Sequence, residues 1–134
     1  MKHTFMIHTY YEDTDASGII YHANYLKFAE RARTEFLHHI GFTHNQLLDA
    51  DSLLVVSRIE VDYKKPAFCE EELCVTTQVE KLGAAMVVLS QIITKQDAPI
   101  CQLKVYVALI SKSSLRPIRI PPELRKALEN YMNN

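Results

Sequence analysis

The chain has 134 residues, 48% of them hydrophobic, with 15 basic and 16 acidic side chains and a net charge of −1. That length suits one domain, residues 1–134, with a sizeable core and little left for a second. The balanced charge argues against a nucleic-acid partner, and no apolar run approaches the ~18 residues of a membrane span.

The N-terminal stretch MKHTFMIHTYYED lacks the long apolar core of a signal peptide, so a cytoplasmic location is expected. The three cysteines, Cys69, Cys74 and Cys101, show no C-x-x-C spacing. They read as reduced structural thiols, with Cys101 a small buried hydrophobe in a strand.

Thr4 to Tyr11 is rich in β-branched and aromatic residues and predicts a strand. An acidic loop follows, with Glu12, Asp13 and Asp15 beside Ser17 and Gly18. From Asn24 to Ile40 the period changes. Tyr25, Ala29, Ala32, Phe36 and Ile40 recur at helical spacing, with Asn24 as N-cap and Gly41 as a left-handed stop. Thr43-His-Asn-Gln46 fits a capping box and predicts a short second helix. After Ser52 the period becomes two. Ile59, Val61 and Tyr63 alternate with polar residues up to Pro66, and Leu73, Val75, Thr77 and Val79 form the next set. Met86 to Thr94 is more uniformly apolar, as in a central strand covered on both faces. Lys95 to Pro99 reads as a turn, Ile100 to Ser111 as a last strand, and Pro122 to Met132 as a terminal helix with proline at its start.

Strand, long helix, four strands and a short helix imply an α+β fold: one antiparallel meander curled around one helix. Self-association would cover the remaining face and edges.

The loop from Tyr10 to Leu26, YYEDTDASGIIYHANYL, carries the chemistry. A carboxylate beside a helix N-terminus pairs a base or nucleophile with amides able to stabilise a developing anion. Rival readings are weaker. A calcium loop starting at Asp13 would need a bidentate Glu where Asn24 stands. An aspartyl phosphatase would need a larger, doubly wound sheet. Asp13, Asp15 and His22 lack recognisable metal-ligand spacing. Asp and Ser also cap turns, so a structural role for the acids remains open. Ser17 has no arranged base. His22 matters through its backbone N–H, an unpaired donor at a helix start, while its ring alone reads as a cap or packing group. His3, His8, His38, His39 and His44 show no constellation, and Glu30 reads as a helix salt-bridge partner. Arg58, Lys64, Lys65, Lys112, Arg116 and Arg119 lie near strand ends, where a few could grip a phosphate-bearing ligand.

The segment YYEDTDASGIIYHANYLKFAERARTEFL, with RIEVDYKKPAFCEEEL after it, resembles the YbgC-type acyl-CoA thioesterases in the 4-hydroxybenzoyl-CoA thioesterase branch of the hot-dog superfamily. The resemblance covers nearly the whole chain. It implies a hot-dog fold, with a five-stranded antiparallel sheet wrapped around the long helix, and hydrolysis of an acyl-CoA thioester. It implies homodimers, paired into tetramers, with active sites at the dimer interface. Asp15 matches the catalytic carboxylate and the His22 N–H the donor to the thioester oxygen, with Tyr11 and the His22 ring as secondary members. Arg116, with Lys64 and Lys65, is the expected grip on coenzyme A, which is substrate, so no separate cofactor is expected. The turn at Gly83-Ala84-Ala85 lacks a basic residue that some relatives use there. An acyl carrier protein is a further candidate partner. Two other roles stay in view: a hot-dog hydratase or dehydratase, and a non-catalytic thioester-binding partner of an envelope or lipid-synthesis complex such as Tol–Pal.

Overall fold

In the computed structural model, which describes residues 1–133, five strands form one antiparallel sheet in the order β1-β3-β4-β5-β2. The strands are β1 (His3–His8), β2 (Ser52–Tyr63), β3 (Glu72–Leu82), β4 (Met86–Lys95) and β5 (Ala98–Ser111). The helices are α1 (Asn24–His39), α2 (His44–Asp49) and α3 (Pro122–Glu129), and a single 3-10 turn spans Tyr11–Asp13. Only β3, β4 and β5 form a meander. β2 lies beside β5 at the far edge, not next to β3 as a four-strand meander would require. The reason is the 64–71 connection, which docks on the acidic loop. Ile19 bridges to Phe68, the Ile20 N–H donates to the Ala67 carbonyl (2.9 Å), and the Glu70 N–H donates to that of Thr9 (2.9 Å).

Helix α1 lies against the sheet as its apolar stripe predicts. Tyr25, Phe28, Ala29, Ala32 and Phe36 are buried, and they meet Leu73, Val75, Val79, Ile93, Leu103 and Val105 from the strands. The alanines remove bulk where helix and sheet approach. On β4, Val87, Val88 and Leu89 are buried in succession. Beyond Leu89 the burial alternates, so only the first part of β4 is covered on both faces. Register shifts at Val56/Arg58, Val79/Lys81 and Ile93/Thr94 mark the bulges that curl the sheet.

Several boundaries move for local reasons. β1 ends at His8 because Thr9 leaves the ladder, its hydroxyl donating to the Phe68 carbonyl (2.6 Å) and accepting from the Glu71 N–H (2.8 Å). The β4–β5 turn shrinks to Gln96 (φ 50°) and Asp97 (φ 66°). Two consecutive left-handed residues make a type I′ hairpin, so Ala98 and Pro99 join β5. α3 stops at Glu129. Tyr131 to Asn133 instead pair with Val79, where β1 has run out and the β3 edge would lie unpaired. The Val79 N–H donates to the Tyr131 carbonyl (2.8 Å), and the Asn133 N–H donates to that of Val79 (2.7 Å). The capping box on α2 forms as predicted, between Thr43 and Gln46. Gly41 takes φ 98° behind α1. Cys101 is buried, and burial pushes its thiol up to about 11, consistent with a structural role.

Phe28 is fully buried at the α1–sheet contact. Phe28→Ala is expected to lower the unfolding free energy by about 3–5 kcal/mol, read from the shift of the urea midpoint.

Candidate active site

Residues 13 to 21 fold back on themselves. Thr14 bridges to Ile20, the Asp15 N–H donates to the Ile19 carbonyl (2.9 Å), and the Tyr21 N–H donates to the Asp13 carbonyl (2.9 Å). Gly18 turns the chain with φ 84°, and its N–H closes on the Asp15 carbonyl (3.1 Å). That conformation disfavours any residue with a side chain. This small hairpin delivers the chain to the start of α1.

The acids divide. Asp13 is buried, and both its oxygens are used: Oδ2 accepts from the Tyr10 N–H (2.8 Å), Oδ1 from the Asn24 side-chain amide (2.9 Å). Asn24 is therefore not the N-cap expected of it. Ala23 holds that position, without a side-chain cap, because the Asn24 amide is committed to the loop. Asp15 is exposed. Its Oδ1 accepts from both the hydroxyl (2.5 Å) and the N–H (2.8 Å) of Ser17, while Oδ2 has no hydrogen-bond partner among the described residues. The Ser17 hydroxyl, then the Ser17 amide, hold the Asp15 carboxyl below the usual aspartate range. Ser17 thus serves as a holder of Asp15. Glu12 is exposed in the 3-10 turn.

At the helix start the Asn24 N–H bonds to the Tyr21 carbonyl (2.9 Å), and among the described residues the His22 and Ala23 N–H groups meet no acceptor. These unpaired amides carry the positive end of the α1 dipole. The His22 ring lies 4.5 Å from that of Tyr21 and 6.2 Å from that of Tyr63, centroid to centroid, and among the described residues it holds no carboxylate. Tyr63 is a site residue that the sequence reading missed. Its hydroxyl donates to the His22 carbonyl (2.8 Å), so the end of β2 fixes the first turn of α1. In the sequence it is merely the last apolar residue of an alternating strand. Tyr25 does similar work, its hydroxyl accepting from the Ala67 N–H (3.1 Å).

The other candidates separate by place. Tyr11 is largely exposed in the 3-10 turn, its carbonyl accepting from Thr14. Lys64 and Lys65 follow Tyr63 directly, with both N–H groups on the Ile100 carbonyl (2.8 and 3.2 Å), so they continue the chain from the end of β2 whose Tyr63 reaches the helix start. Arg116 does not join them. It sits in the turn after β5, beside Ser52 and Ser111 at the other end of β2. An extended strand of that length puts about 36 Å between the two places. Glu30 makes no ion pair among the described residues. Arg33 instead donates to Gln91 (2.9 Å), a second contact absent from the sequence reading. Beside Arg33 a cleft of about 270 Å³ opens between the second half of α1, the inner face of the sheet and α3.

Comparison with known proteins shows the family of the chain. The profile of the thioesterase-like superfamily matches residues 11–128. The chain is 35% identical over 128 residues to the acyl-CoA thioesterase YbgC of Haemophilus influenzae, covering 95% of this chain and 94% of that protein. It is 37% identical over 129 residues to the acyl-CoA thioesterase YbgC of Helicobacter pylori, covering 89% and 94%. Among solved structures, a probable thioesterase from Bartonella henselae superposes with a TM-score of 0.85 at 34% identity, covering 90% of this chain and all of that one.

Because hydrogen bonds from Ser17 lower the Asp15 carboxyl, its ionised form persists to more acid pH than that of a free aspartate. Ser17→Ala is expected to raise the Asp15 titration midpoint, followed by the carboxyl carbon shift in NMR. An unchanged midpoint would contradict the Ser17 contacts.

Proposed function

The chain belongs to the thioesterase-like superfamily and is an acyl-CoA thioesterase of the YbgC type, and we propose that Asp15 and the N-terminus of α1 carry its hydrolysis. The observation supporting this reading is the pairing of a carboxylate that has one oxygen free and a helix start that has unpaired amides, both among the described residues, joined through Asp13 and Asn24.

The acyl carbonyl oxygen lies against the His22 N–H. One such donor contributes about 3 kcal/mol to the transition state, because it is aimed where charge develops. Two routes use Asp15. As general base it takes a proton from water, the hydroxide adds to the carbonyl carbon, and the C–S bond breaks to release coenzyme A as thiolate. As nucleophile its Oδ2 adds instead, the thiolate leaves, and water cleaves the mixed anhydride. A single turnover in ¹⁸O-labelled water separates them: only the nucleophilic route can leave label in the Asp15 carboxylate. Hydration of an enoyl thioester would call for a His–carboxylate pair, and the His22 ring sits instead between two tyrosines.

The functional unit is a homodimer joined along β2, an edge strand of twelve residues with Val56 45% exposed. Antiparallel pairing of β2 with its copy sets the first residues of one strand against the last of the other. The partner's Arg116 then arrives beside Tyr63, Lys64 and Lys65, and the three cations hold the phosphates of coenzyme A. Two dimers form the tetramer. A coenzyme A substrate sets the enzyme in the cytoplasm. Acyl carrier protein presents the same kind of thioester and is a second source of substrate.

Asp15→Asn is expected to cut kcat by about 10²–10⁴-fold in a thiol-release assay over an acyl-CoA panel. Near wild-type turnover would sink the assignment. Val56→Arg is expected to yield monomers in light scattering and a raised KM for acyl-CoA. A fully active monomer would refute the shared site.

A further inference from the structure

The cleft beside α1 is mainly apolar, with Glu30, Arg33, Thr34, His38 and His44 as its polar lining. Its wall includes Leu37, Leu54, Leu89, Leu109 and Leu128, and Arg33 stands among them. Its volume is about 270 Å³. Arg33 is fixed from behind. Its Nη1 donates to the Gln91 side-chain oxygen (2.9 Å), and the fully buried Gln91 amide donates to the Ala29 carbonyl and the Thr77 hydroxyl (3.0 Å each). The orientation of Gln91 is thereby set, and with it that of the guanidinium.

An arginine has five N–H donors, and the described residues supply Arg33 with one acceptor. Among those residues no carboxylate lies within ion-pair distance, although Glu30 lines the same cleft one turn earlier. Burial pushes the Arg33 guanidinium below its ordinary value, and the charge of nearby Glu30 offsets this only in part. A partly desolvated cation with spare donors gains most from an acceptor brought by the ligand.

We propose that Arg33 is a specificity-determining residue, receiving an acceptor oxygen carried by the acyl chain several carbons from the thioester. The class of substrate is an acyl-CoA whose chain bears a hydroxyl or carboxylate at its far end. This rests on the thioesterase reading and on the β2 dimer, which brings the partner's helix start towards the cleft mouth at Leu54 and Val56. A purely alkyl chain leaves the guanidinium donors desolvated and unmatched, so it is discriminated against.

The test compares kcat/KM for n-alkanoyl-, ω-hydroxyacyl- and ω-carboxyacyl-CoA of matched length. The wild type is expected to favour one or both oxygen-bearing series by ~10-fold or more, and the two arms tell a neutral from an anionic acceptor. Arg33→Met, folded by circular dichroism, loses that preference, and Arg33→Lys keeps part of it. Equal kcat/KM across the three series in the wild type overturns the proposal, as does a preference that survives in Arg33→Met. If Arg33→Met does not fold, the wild-type series decides alone. Thiol release without discrimination refutes the role of Arg33 and leaves the thioesterase standing. Release from no substrate refutes the thioesterase reading itself. In that event calorimetry with the free acids decides for the cleft, and plain fatty acids binding as tightly as their ω-hydroxy counterparts overturn the proposal.

Discussion

The site depends on one buried carboxylate. Asp13 accepts from the Tyr10 N–H on one side and the Asn24 amide on the other, and so ties the end of the first strand's extension to the start of α1. Both oxygens are used, so the group is fully solvated by protein. Without it, the loop carrying Asp15 and the helix carrying the His22 N–H would be adjacent in sequence but free to reorient. The tie fixes their separation before any ligand arrives, which is what preorganised stabilisation of an oxyanion requires. Tyr63 completes the arrangement from the sheet side by holding the His22 carbonyl, so that amide and carboxylate are referenced to one rigid scaffold.

The sheet order follows from the same region. The 64–71 connection is held by Ile19, Ile20 and Thr9, and in crossing the loop it separates β2 from β3. β2 is therefore left as an edge, bulged at Ser57 and half exposed at Val56. On the proposed reading Arg116 and the reacting carboxylate stand at opposite ends of this long edge strand, so a second copy is what brings them together. The turn bearing Arg116 is built for a fixed position. Asp51 accepts from the hydroxyls of Ser111 (2.6 Å) and Ser113 (2.8 Å) and from the Ser113 N–H (3.0 Å), locking the segment between β5 and Arg116.

What the sequence revealed depended on whether a residue's partner was local. The α1 stripe, the Thr43–Gln46 box, the Gly41 stop and the alternating strands are set within a few residues, and all appear in the structure. The sheet order was not legible, because it turns on contacts between residues far apart in the chain, such as Ile19 with Phe68. Asn24 was misread for the same reason: its local role as a cap lost to a partner in the preceding loop, Asp13. Tyr63 and the Arg33–Gln91 pair carried no signal, since each contact joins residues far apart in the chain, Tyr63 with His22 and Arg33 with Gln91. The motif singled out Asp15 as the candidate carboxylate, whereas the hydrogen bonds by which Ser17 holds it needed coordinates.

The chemistry of the leaving group explains what the site does without. Asp15 is held at low basicity, which makes it dependably ionised but a weak base. The nearest imidazole, His22, lies among aromatic rings, with no carboxylate among the described residues to sustain it as a proton donor. Such a site has strong stabilisation for the carbonyl oxygen and little to offer a departing group. A thiol is far more acidic than an alcohol or an amine, so it leaves as its anion unaided, whereas an alkoxide or amide ion does not. On the proposed reading such a site suits thioesters better than oxygen esters or amides. The groups that remain, the amides of a helix start and one carboxylate, suffice only where the bond to be broken carries its own good leaving group.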